Sequence, residues 1–579
     1  MAEHSDPIGE TQSKPSQILV ATDAQGAVVV AREGLSFWGG VDPETGRVID
    51  AHHDLHGQSL AGKIVLMPTS RGSCSGSGVL LQLALNGHAP AALVFREAEE
   101  VLTLGSLIAA HMFDRPVAVL RLTPADFDAL SQKAEATLKG TRLTAGDLAL
   151  DLATTSHSDL GLTKEDREKL EGGQGRAVAL AMQVLCTMAS AQGARRLIDV
   201  TRGHIDGSIY AHEANLIFAE AMAEMGAQVA LPTTINAISV ERNNLAAHDL
   251  PPDFSNAACR LADAYVRMGA QPTFTCAPYL LEDAPGQGED IGWSESNAVI
   301  YANSVLGART AKHPDYLDLF VALTGRAPEA GVYLDDNRRA RVVIDVACPE
   351  GIDDAFWPLL GWIAGRCAPD SVALINGVEK AQPSKDDLRG LCAAFGTTSA
   401  APLVHVAGIT PESDLPPRPD ARHVRVTPSD LRAAWAQLNT GTEQIDLVAI
   451  GSPHASYDET RRFAALMRGR QVCSGTKAIV TLGRAVLSRA RADGVAQELE
   501  KAGVQLIADL CWCSIVEPIF PTEARCLMTN SGKYAHYAEG LSGRAVRFGG
   551  LVACAEAACS GHAPTQWPVW LDESISTEP

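Results

Sequence analysis

Short apolar runs separated by turn residues dominate the first part of the chain, from Ile18 to about Leu122. Three of these runs, KIVLM, AALVF and PVAVLRL, predict buried strands. The alternation in ILVATDAQGAVVVA predicts two more strands joined by a turn at Gln25–Gly26, and VDPETGRVI predicts a hairpin. Only GVLLQLALNG and PADFDALSQKAEATL have helical patterns. The pattern therefore predicts a small, mostly β domain.

A different pattern recurs later in the chain: a helix that ends in glycine, an apolar strand and a polar loop. Its three copies are FAEAMAEMGAQVALPTTIN, LADAYVRMGAQPTFTCAPY and VAQELEKAGVQLIADLCWCS. Gly226, Gly269 and Gly503 stand where a helix end favours a left-handed residue. This alternation predicts a large doubly wound α/β/α domain, with a mostly parallel sheet covered on both faces. Ligands of such domains bind beyond the carboxyl ends of the strands.

These changes of pattern predict an α/β protein of two domains. Residues 1–17 are polar and lack the apolar core of a signal peptide, which predicts a flexible tail. The small β/β/α domain is predicted over 18–144, a polar linker over 145–160, the large domain over 161–565 and a second tail over 566–579. Thr163 and Asp166 form a capping pair that opens the first helix of the large domain.

Charge limits the kinds of partner. The chain of 579 residues has 48 Lys and Arg against 69 Asp and Glu, a net charge of −21. So acidic a surface repels nucleic acid and anionic membranes, and no apolar run has the length of a membrane span, which favours a small-molecule partner. The 13 cysteines are odd in number and scattered, which predicts free thiols in a reducing cytoplasm, available for metal binding or catalysis.

PTSRGSCSGSG, residues 68–78, lies between a predicted strand and a predicted helix. Free N–H groups at such a helix start favour an anion, although a serine and glycine turn that only caps the helix is an equal alternative. The loop lacks the Gly-Lys-Ser/Thr ending of a nucleotide-binding loop, and no G-x-G-x-x-G follows a strand. A nucleotide-dependent oxidoreductase is therefore disfavoured.

Cysteines follow two predicted strands, Cys276 in TFTCAPY and Cys511 with Cys513 in DLCWCS. Thiolates in such places ligate soft or borderline metals and iron-sulfur clusters. Because Cys276 and Cys511 fall on equivalent strand ends of one predicted sheet, we expect them to lie close together. Cys513 and Cys348 stay undecided between ligand and buried residue. Six further cysteines are interpreted as small buried apolar residues: Cys186, Cys259, Cys367, Cys392, Cys554 and Cys559.

Polar residues also follow apolar strands. Arg202, His204 and Asp206 could orient a polar substrate or a metal-bound water, or stabilise an Asp-Gly turn. Lys533 in TNSGKYAHY is interpreted as a carboxylate anchor or an exposed lysine. Further candidates for substrate binding, from their strand-end position alone, are Thr233, Thr234 and Asn236.

Two more groups of polar residues have alternative interpretations. Trp293, Glu295, Ser296 and Asn303 lie on a predicted helix after the Cys276 loop and indicate a buried hydrogen-bond network, structural or functional. DAHHDLHG is rich in histidine but has no zinc-site spacing, so it is interpreted as a solvated loop.

Taken in order, these motifs resemble the aconitase X family. The strings are RGSCSGSGVL, HIDGS, LPTTIN, TCAPYL, WSESNAVIYANSVLGART, VAGITPE, GSPHASYDE and TNSGKYAHY, and they cover the chain from about Ile18 to Phe548. The resemblance implies a small swivelling domain, a large catalytic domain and an iron-sulfur cluster. It also implies that the serine of the Arg-Gly-Ser loop, Ser73 here, is the base. Because a serine alkoxide needs a cation or N–H donors nearby, Arg71 is interpreted as its electrostatic support, and Ser75 is a further candidate for substrate binding.

The resemblance leaves the cluster incompletely defined. Cys276 and Cys511 match the family's ligands, and the third ligand is open among Cys513, His454 and Cys348. Ser452 stands where the family's phosphomevalonate branch carries cysteine, so the nuclearity of the cluster is open as well.

The small and large modules are fused, which resembles the family branch that dehydrates cis-3-hydroxy-L-proline to Δ1-pyrroline-2-carboxylate in one chain. The resemblance therefore implies a hydro-lyase acting on a small hydroxy amino acid, with no obligate second subunit. The alternatives are dehydration of mevalonate 5-phosphate or another small hydroxy acid and, from another class, a non-catalytic iron-sulfur or small-molecule-binding protein.

Overall fold

The structure is a computed structural model that describes residues 15–71, 74–154 and 157–572. The chain has two compact units. A small unit extends to Gly161 and includes Cys186–Arg195, and a large unit comprises Leu162–Leu185 and the residues from Arg196 onward. Ser73, the base implied by the family resemblance, lies outside the described residues.

Eleven strands and three complete helices lie in the described part of the small unit. The strands are β1 (Gln17–Val20), β2 (Ala24–Val30), β3 (Val41–Asp42), β4 (Arg47–Val48), β5 (Ile64–Met67), β6 (Ala92–Phe95), β7 (Ala118–Arg121), β8 (Glu135–Lys139), β9 (Arg142–Ala145), β10 (Leu148–Asp151) and β11 (Ala153–Thr154). The helices are α1 (Gly76–Asn86), α2 (Val101–Phe113) and α3 (Pro124–Ser131). Nine strands form one mixed sheet in the order β10-β9-β8-β2-β5-β6-β7-β1-β11, and β3 pairs with β4.

The core of the small unit explains which predictions succeeded. KIVLM, AALVF and PVAVLRL form the parallel neighbours β5, β6 and β7, as predicted, and VDPETGRVI forms the β3–β4 hairpin. The apolar side chains of β5, β6 and β7 pack with those of α3 in one buried cluster. The pattern did not indicate α2, because its sequence VLTLGSLIAAHMF is apolar on almost every side and has no helical period.

The predicted turn at Gln25–Gly26 is wrong, because both residues lie inside β2 and pair with β8. Gly26 lies against the backbone of Gly62, where there is no room for a side chain. A Cβ added at Gly26 would lie 2.4 Å from the carbonyl oxygen of Gly62, closer than any real contact.

The segment predicted as a linker contributes structure to the sheet. β10 pairs antiparallel with β9, and β11 pairs parallel with β1, so 148–154 supplies both edges of the nine-stranded sheet. Their short, partly polar sequences are typical of edge strands, which face solvent on one side. Part of the predicted second tail is also ordered, since Trp570 is 6% exposed and its ring packs against Phe356 and Trp435.

The large unit alternates helices with short strands. Its helices are α4 (Lys164–Leu170), α5 (Arg176–Gln192, which continues into residues counted with the small unit), α6 (Glu213–Glu224), α7 (Pro252–Arg267), α8 (Ser296–Tyr301), α9 (Leu317–Thr324), α10 (Phe356–Cys367), α11 (Lys385–Thr398), α12 (Pro428–Gln437), α13 (Tyr457–Met467), α14 (Arg484–Ala492), α15 (Val495–Lys501), α16 (Gly532–Ser542) and α17 (Leu551–Ser560). Within the described ranges, no helix combines the length and apolar character needed to cross a membrane.

The strands of the large unit are β12 (Leu197–Asp199), β13 (Gly203–Ile205), β14 (Thr233–Ile235), β15 (Gly292–Trp293), β16 (Arg326–Pro328), β17 (Val342–Val346), β18 (Ala373–Asn376), β19 (Val404–Val406), β20 (Arg422–Val426), β21 (Leu447–Ala455), β22 (Lys477–Leu482), β23 (Val504–Ala508), β24 (Cys526–Thr529) and β25 (Ala545–Phe548). Three sheets are parallel throughout, with the orders β14-β13-β15, β19-β18-β17-β20 and β23-β22-β21-β24-β25. The α/β prediction is confirmed, but the strands are divided among several sheets instead of forming one.

Helix ends follow the local sequence closely. Gly226, Gly269 and Gly503 have φ values of +83°, +93° and +86°, as predicted for left-handed residues after helices. Thr163 and Asp166 make the predicted reciprocal capping bonds at the start of α4, with N to O distances of 2.9 and 3.1 Å. Short-range rules sufficed at these positions because the groups concerned are neighbours in sequence.

Candidate functional site

Three cysteine side chains meet in the large unit and are called the thiol cluster below: Cys276, Cys511 and Cys513. Cys276 follows a stretch that hydrogen-bonds along β14, and the other two follow β23. The Cys511 thiol lies beside the thiols of Cys276 and Cys513, close enough to shift its pKa, and the three cysteines share one buried cluster with Ala237. Cys276 and Cys511 are 1% and 3% exposed, so this is an interior site.

The predicted reason for this meeting is wrong. Cys276 belongs with the three-stranded sheet and Cys511 with the five-stranded sheet, so the two cysteines do not share a sheet. The two sheets connect at their carboxyl ends, where Ile238 and Leu510 form a parallel bridge and Ile238 N donates to Asp509 O at 2.8 Å. Residues that follow strands of either sheet are therefore brought to one place.

A neighbouring thiol and burial raise the pKa of two of these cysteines, Cys511 and Cys513. The neighbouring Cys276 thiol, together with burial, raises the pKa of Cys511 well above its usual value. The Cys511 thiol, together with burial, does the same for Cys513. Thiols in this environment lose their protons only when positive charge compensates the thiolates, as a bound metal does.

The donor chemistry of the thiol cluster suits iron-sulfur ligation, in which cysteine thiolates are the usual ligands. No group of three or more His, Cys, Asp or Glu side chains in the described ranges converges as the ligands of one metal ion would. The two observations are compatible, because the thiolates of a cluster bind different iron atoms and need not point at one position. The cysteines are all free thiols within the described residues.

Lys533 places a buried ammonium group beside the thiol cluster. It lies in the first turn of α16, and its Nζ donates to Glu295 Oε1 at 2.8 Å. Burial alone would lower its pKa, but Glu295 and the three thiols together hold the pKa well above its usual value. Lys533 is therefore a fixed positive charge and not an exposed lysine.

Glu295 links the ion pair to the backbone of the thiol cluster. It follows β15, has the unusual φ of +68°, and caps α8 by accepting from Ala298 N at 3.0 Å. Asn297 donates both to Glu295 and to the carbonyl oxygen of Cys276, the latter at 2.9 Å. Strained backbone of this kind costs about 1–3 kcal/mol and is concentrated at functional sites.

Asp206 is a second carboxyl group near this ion pair, and it is half-buried. Burial and the negative charges of Asp315 and Glu295 raise its pKa well above the usual value. Asn236 donates its side-chain amide to Asp206, and the backbone N of Asp206 donates to Asp318 at 2.7 Å. Burial also raises the pKa of Asp318, to about 7. These residues form a protonatable group at the carboxyl ends of β13 and β14.

The sequence analysis missed Asp315 and Asp318. A usable signal was present, because Asp318 stands inside the apolar run YLDLFVAL, where a carboxyl group needs a specific partner. Asp315 is 3% exposed, so both acids lie in the interior.

His204 and the two threonines of β14 lie close by. The His204 ring is fully buried, which lowers its pKa to about 3, and its Nδ1 bonds the Thr234 hydroxyl at 2.8 Å. Its Nε2 has no hydrogen-bond partner among the described residues. Thr233 donates its hydroxyl to the Leu231 carbonyl at 2.9 Å. Both threonines are thus engaged within the protein, and Arg202 pairs with Glu289 at 2.8 Å.

His454 is held by protein partners on both ring nitrogens. Its Nε2 donates to the Leu510 carbonyl at 2.6 Å, and its Nδ1 faces the Thr275 hydroxyl at 3.1 Å. No ring nitrogen is left for a metal, which corrects the expectation that His454 is a ligand. Cys348 follows β17, beside Glu379, so it is outside the thiol cluster.

The remaining predicted residues belong to the small unit. Arg71 forms ion pairs with Glu33 at 2.7 Å and with Asp50 at 3.5 Å, and its side chain is 44% exposed. Ser75 is the N-cap residue of α1. The predicted helix after the serine-rich loop is therefore present, and its N-terminus lies at Ser75.

Four domain models of one family match this chain. The aconitase X swivel domain matches residues 14–145, the first domain 159–336, the second 340–436 and the third 445–560. The matched swivel domain agrees with the small domain that was predicted.

Curated relatives are similar over most of the chain. Cis-3-hydroxy-L-proline dehydratase of Pseudomonas aeruginosa is 46% identical, covering 96% of this chain and 98% of its own length, and that of Hypocrea jecorina is 42% identical, covering 95% and 96%. The phosphomevalonate dehydratase large subunit of Methanothermobacter thermautotrophicus is 32% identical, covering 66% of this chain and 94% of its own length.

A solved structure shares the fold. The crystal structure of Thermococcus kodakaraensis aconitase X in its holo-form has a TM-score of 0.63 and 32% identity, covering 70% of this chain and all of that one. The relatives confirm the prediction that this chain is a dehydratase, a hydro-lyase. With four matching domains and nearly full-length similarity, the chain belongs to the aconitase X family.

Proposed function

We propose that this chain removes water from cis-3-hydroxy-L-proline and yields Δ1-pyrroline-2-carboxylate. The observation that carries the proposal is the thiol cluster beside the buried pair of Lys533 and Glu295. Relatives named for this activity are similar over 96% and 95% of the chain, which supports the choice of substrate.

Cys276, Cys511 and Cys513 would hold an iron-sulfur cluster. When bound, the cluster would supply Lewis-acid assistance to the departure of the 3-hydroxyl group, a poor leaving group. The protein's own contribution is to stabilise three thiolates in the interior. The Lys533 ammonium favours their ionisation, because it is a fixed positive charge that lowers the pKa of Cys511 and of Cys513.

The charges of the site match a cyclic amino acid, which carries one ammonium and one carboxylate. Asp206 is proposed to bind the ring ammonium, because a cation bound beside this crowded carboxyl group would offset the neighbouring negative charges and favour its ionised form. Lys533 is proposed to bind the substrate carboxylate while Glu295 keeps its Nζ in place. Asn236 and Thr234 orient Asp206 and His204 through the hydrogen bonds described above.

Ser73 is the proposed base, on the family resemblance. The base takes the proton from Cα, the electron pair of that C–H bond becomes a C=C bond, and the C3–O bond breaks. The hydroxyl group leaves as water after taking up one proton, and the resulting enamine tautomerises to the cyclic imine. A serine is basic enough only when its alkoxide is stabilised by a cation or N–H donors. Arg71 and the N-terminus of α1, including Ser75, are its sequence neighbours with that chemistry.

Mevalonate 5-phosphate is the second candidate substrate, because of the large-subunit relative. Cis-3-hydroxy-L-proline is the preferred substrate, because the dehydratases named for it are similar over the swivel region as well. On this proposal the chain needs no second subunit. A cytoplasmic location stays a prediction from the free thiols.

The test is an anaerobic assay of the full chain with cis-3-hydroxy-L-proline, trans-3-hydroxy-L-proline and mevalonate 5-phosphate. The cyclic imine is detected with o-aminobenzaldehyde, and iron and sulfide are determined on the same sample. Imine from the cis isomer alone, lost on iron chelation, is the expected result. Turnover of mevalonate 5-phosphate alone, or full turnover without iron, would overturn the proposal.

A further inference from the structure

His454 contacts both chain segments that carry the thiol cluster. Its ring bonds Thr275, the residue before Cys276, and the carbonyl oxygen of Leu510, the residue before Cys511. Its backbone N donates to Cys276 Sγ at 3.2 Å. The side chain is fully buried, so these bonds are shielded from water.

These bonds connect two sheets. Thr275 belongs to the stretch beside β14, whereas Leu510 follows β23, and the two residues are far apart in sequence. His454 lies on β21, the strand next to β22 and β24 in the five-stranded sheet. One imidazole ring therefore spans the junction at which the cysteines meet.

Arg389 fixes His454 from the other side. Its guanidinium donates to the His454 carbonyl oxygen at 3.0 Å and to Glu459 at 2.5 Å, and it lies 3.3 Å from Asp386. Arg389 lies on α11 and is 4% exposed. A planar guanidinium with several partners has little freedom to move, so the position of His454 along β21 is well defined.

We propose that His454 is a positioning residue that holds the Cys276 and Cys511 segments at the spacing required for an iron-sulfur cluster, and that Arg389 locks it there. The inference rests on the proposed function insofar as it concerns a cluster. It assigns to His454 the role of an outer partner that orients the ligands. Such partners contribute about 10–100-fold to metal affinity.

His454→Leu removes both ring bonds, and Thr275→Val removes one of them with almost no change of shape. His405→Leu is the matched control, because His405 is also buried, 2% exposed, and bonds a backbone carbonyl through Nε2 at 2.7 Å, but lies on β19. Two experiments are made on the full chain. The first determines iron and sulfide per folded molecule, and the visible circular dichroism, after anaerobic reconstitution. The second determines, in the metal-free protein, how much of Cys276 and Cys511 a short reagent with two thiol-reactive groups joins.

The expected result for His454→Leu is at least a tenfold faster loss of iron to a chelator and a several-fold lower cross-link yield, with a smaller change in the same direction for Thr275→Val. His405→Leu is expected to match the wild type in both. Unchanged iron retention and cross-linking in Thr275→Val and in folded His454→Leu would overturn the inference without affecting the proposed function. If the wild type holds no iron, the proposed function fails and the cross-link yield alone decides the inference.

Discussion

The ammonium nitrogen of Lys533 lies 2.8 Å from a carboxylate oxygen of Glu295, although 238 residues separate them in the sequence. Both side chains are at least nine-tenths buried, and the thiol cluster acts on the same ammonium. The two residues therefore compensate each other's charge in the interior, and the Lys533 ammonium also stabilises the thiolates.

Lys533→Met removes the ammonium and leaves Glu295 charged in the interior. We expect turnover to fall by at least about 100-fold and the free energy of unfolding to fall by about 3–5 kcal/mol, since an unpaired buried charge is strongly destabilising. Anaerobic kinetics and urea unfolding measure the two effects. The double variant Lys533→Met with Glu295→Gln should regain part of the stability but none of the turnover. A double variant less stable than the single one would contradict this account.

Three single variants replace Cys276, Cys511 or Cys513 by serine. Each variant should have a several-fold lower iron and sulfide content and no visible absorbance, because all three thiols contribute to the thiol cluster. Cys554→Ala is the control, since Cys554 is fully buried in α17 within the apolar core of the five-stranded sheet. Iron and sulfide analysis after anaerobic reconstitution decides between the variants. Wild-type iron in Cys513→Ser would exclude that residue as the third ligand.

Ser73→Ala should reduce kcat by about 10²–10⁴-fold, the usual contribution of a general base, while KM and the cluster spectrum stay near wild type. Ser77→Ala is a neighbour control, because that hydroxyl donates to the Cys74 carbonyl at 3.2 Å within the start of α1. Steady-state kinetics with the cis substrate provide the measurement. Near-normal kcat in Ser73→Ala with an intact cluster would show that another group is the base.

Stability should decline on acidification below pH 6.5. Burial lowers the pKa of His313 from 6.5 to about 4, so in this window the unfolded state binds more protons than the folded state. The free energy of unfolding therefore falls as pH falls, by about 1.5 kcal/mol from this residue between pH 6.5 and 5. His313→Gln should lose correspondingly less over the same interval, as measured by urea unfolding at several pH values. Equal losses in both proteins would refute the assignment.

Local features of this protein are determined by sequence alone. The glycines after helices, Gly226, Gly269 and Gly503, and the Thr163–Asp166 cap required only neighbours along the chain. The apolar strands β5, β6 and β7 also followed from pattern, because burial on both faces leaves continuous apolar runs. Long specific sequence strings indicated the family. They identify which residues belong to the site but not which of them contact one another.

The tertiary structure decided which of these residues meet. Cys276 and Cys511 come from different sheets, and the bridge of Ile238 with Leu510 that unites the sheets has no signature in either segment. The pairing of Lys533 with Glu295 has no local sequence signature either. Nor have the two partners of the His454 ring, the Thr275 hydroxyl and the Leu510 carbonyl. Sequence patterns report periodicity and local capping, whereas electrostatic and hydrogen-bond partners are fixed by the packing of segments that lie hundreds of residues apart.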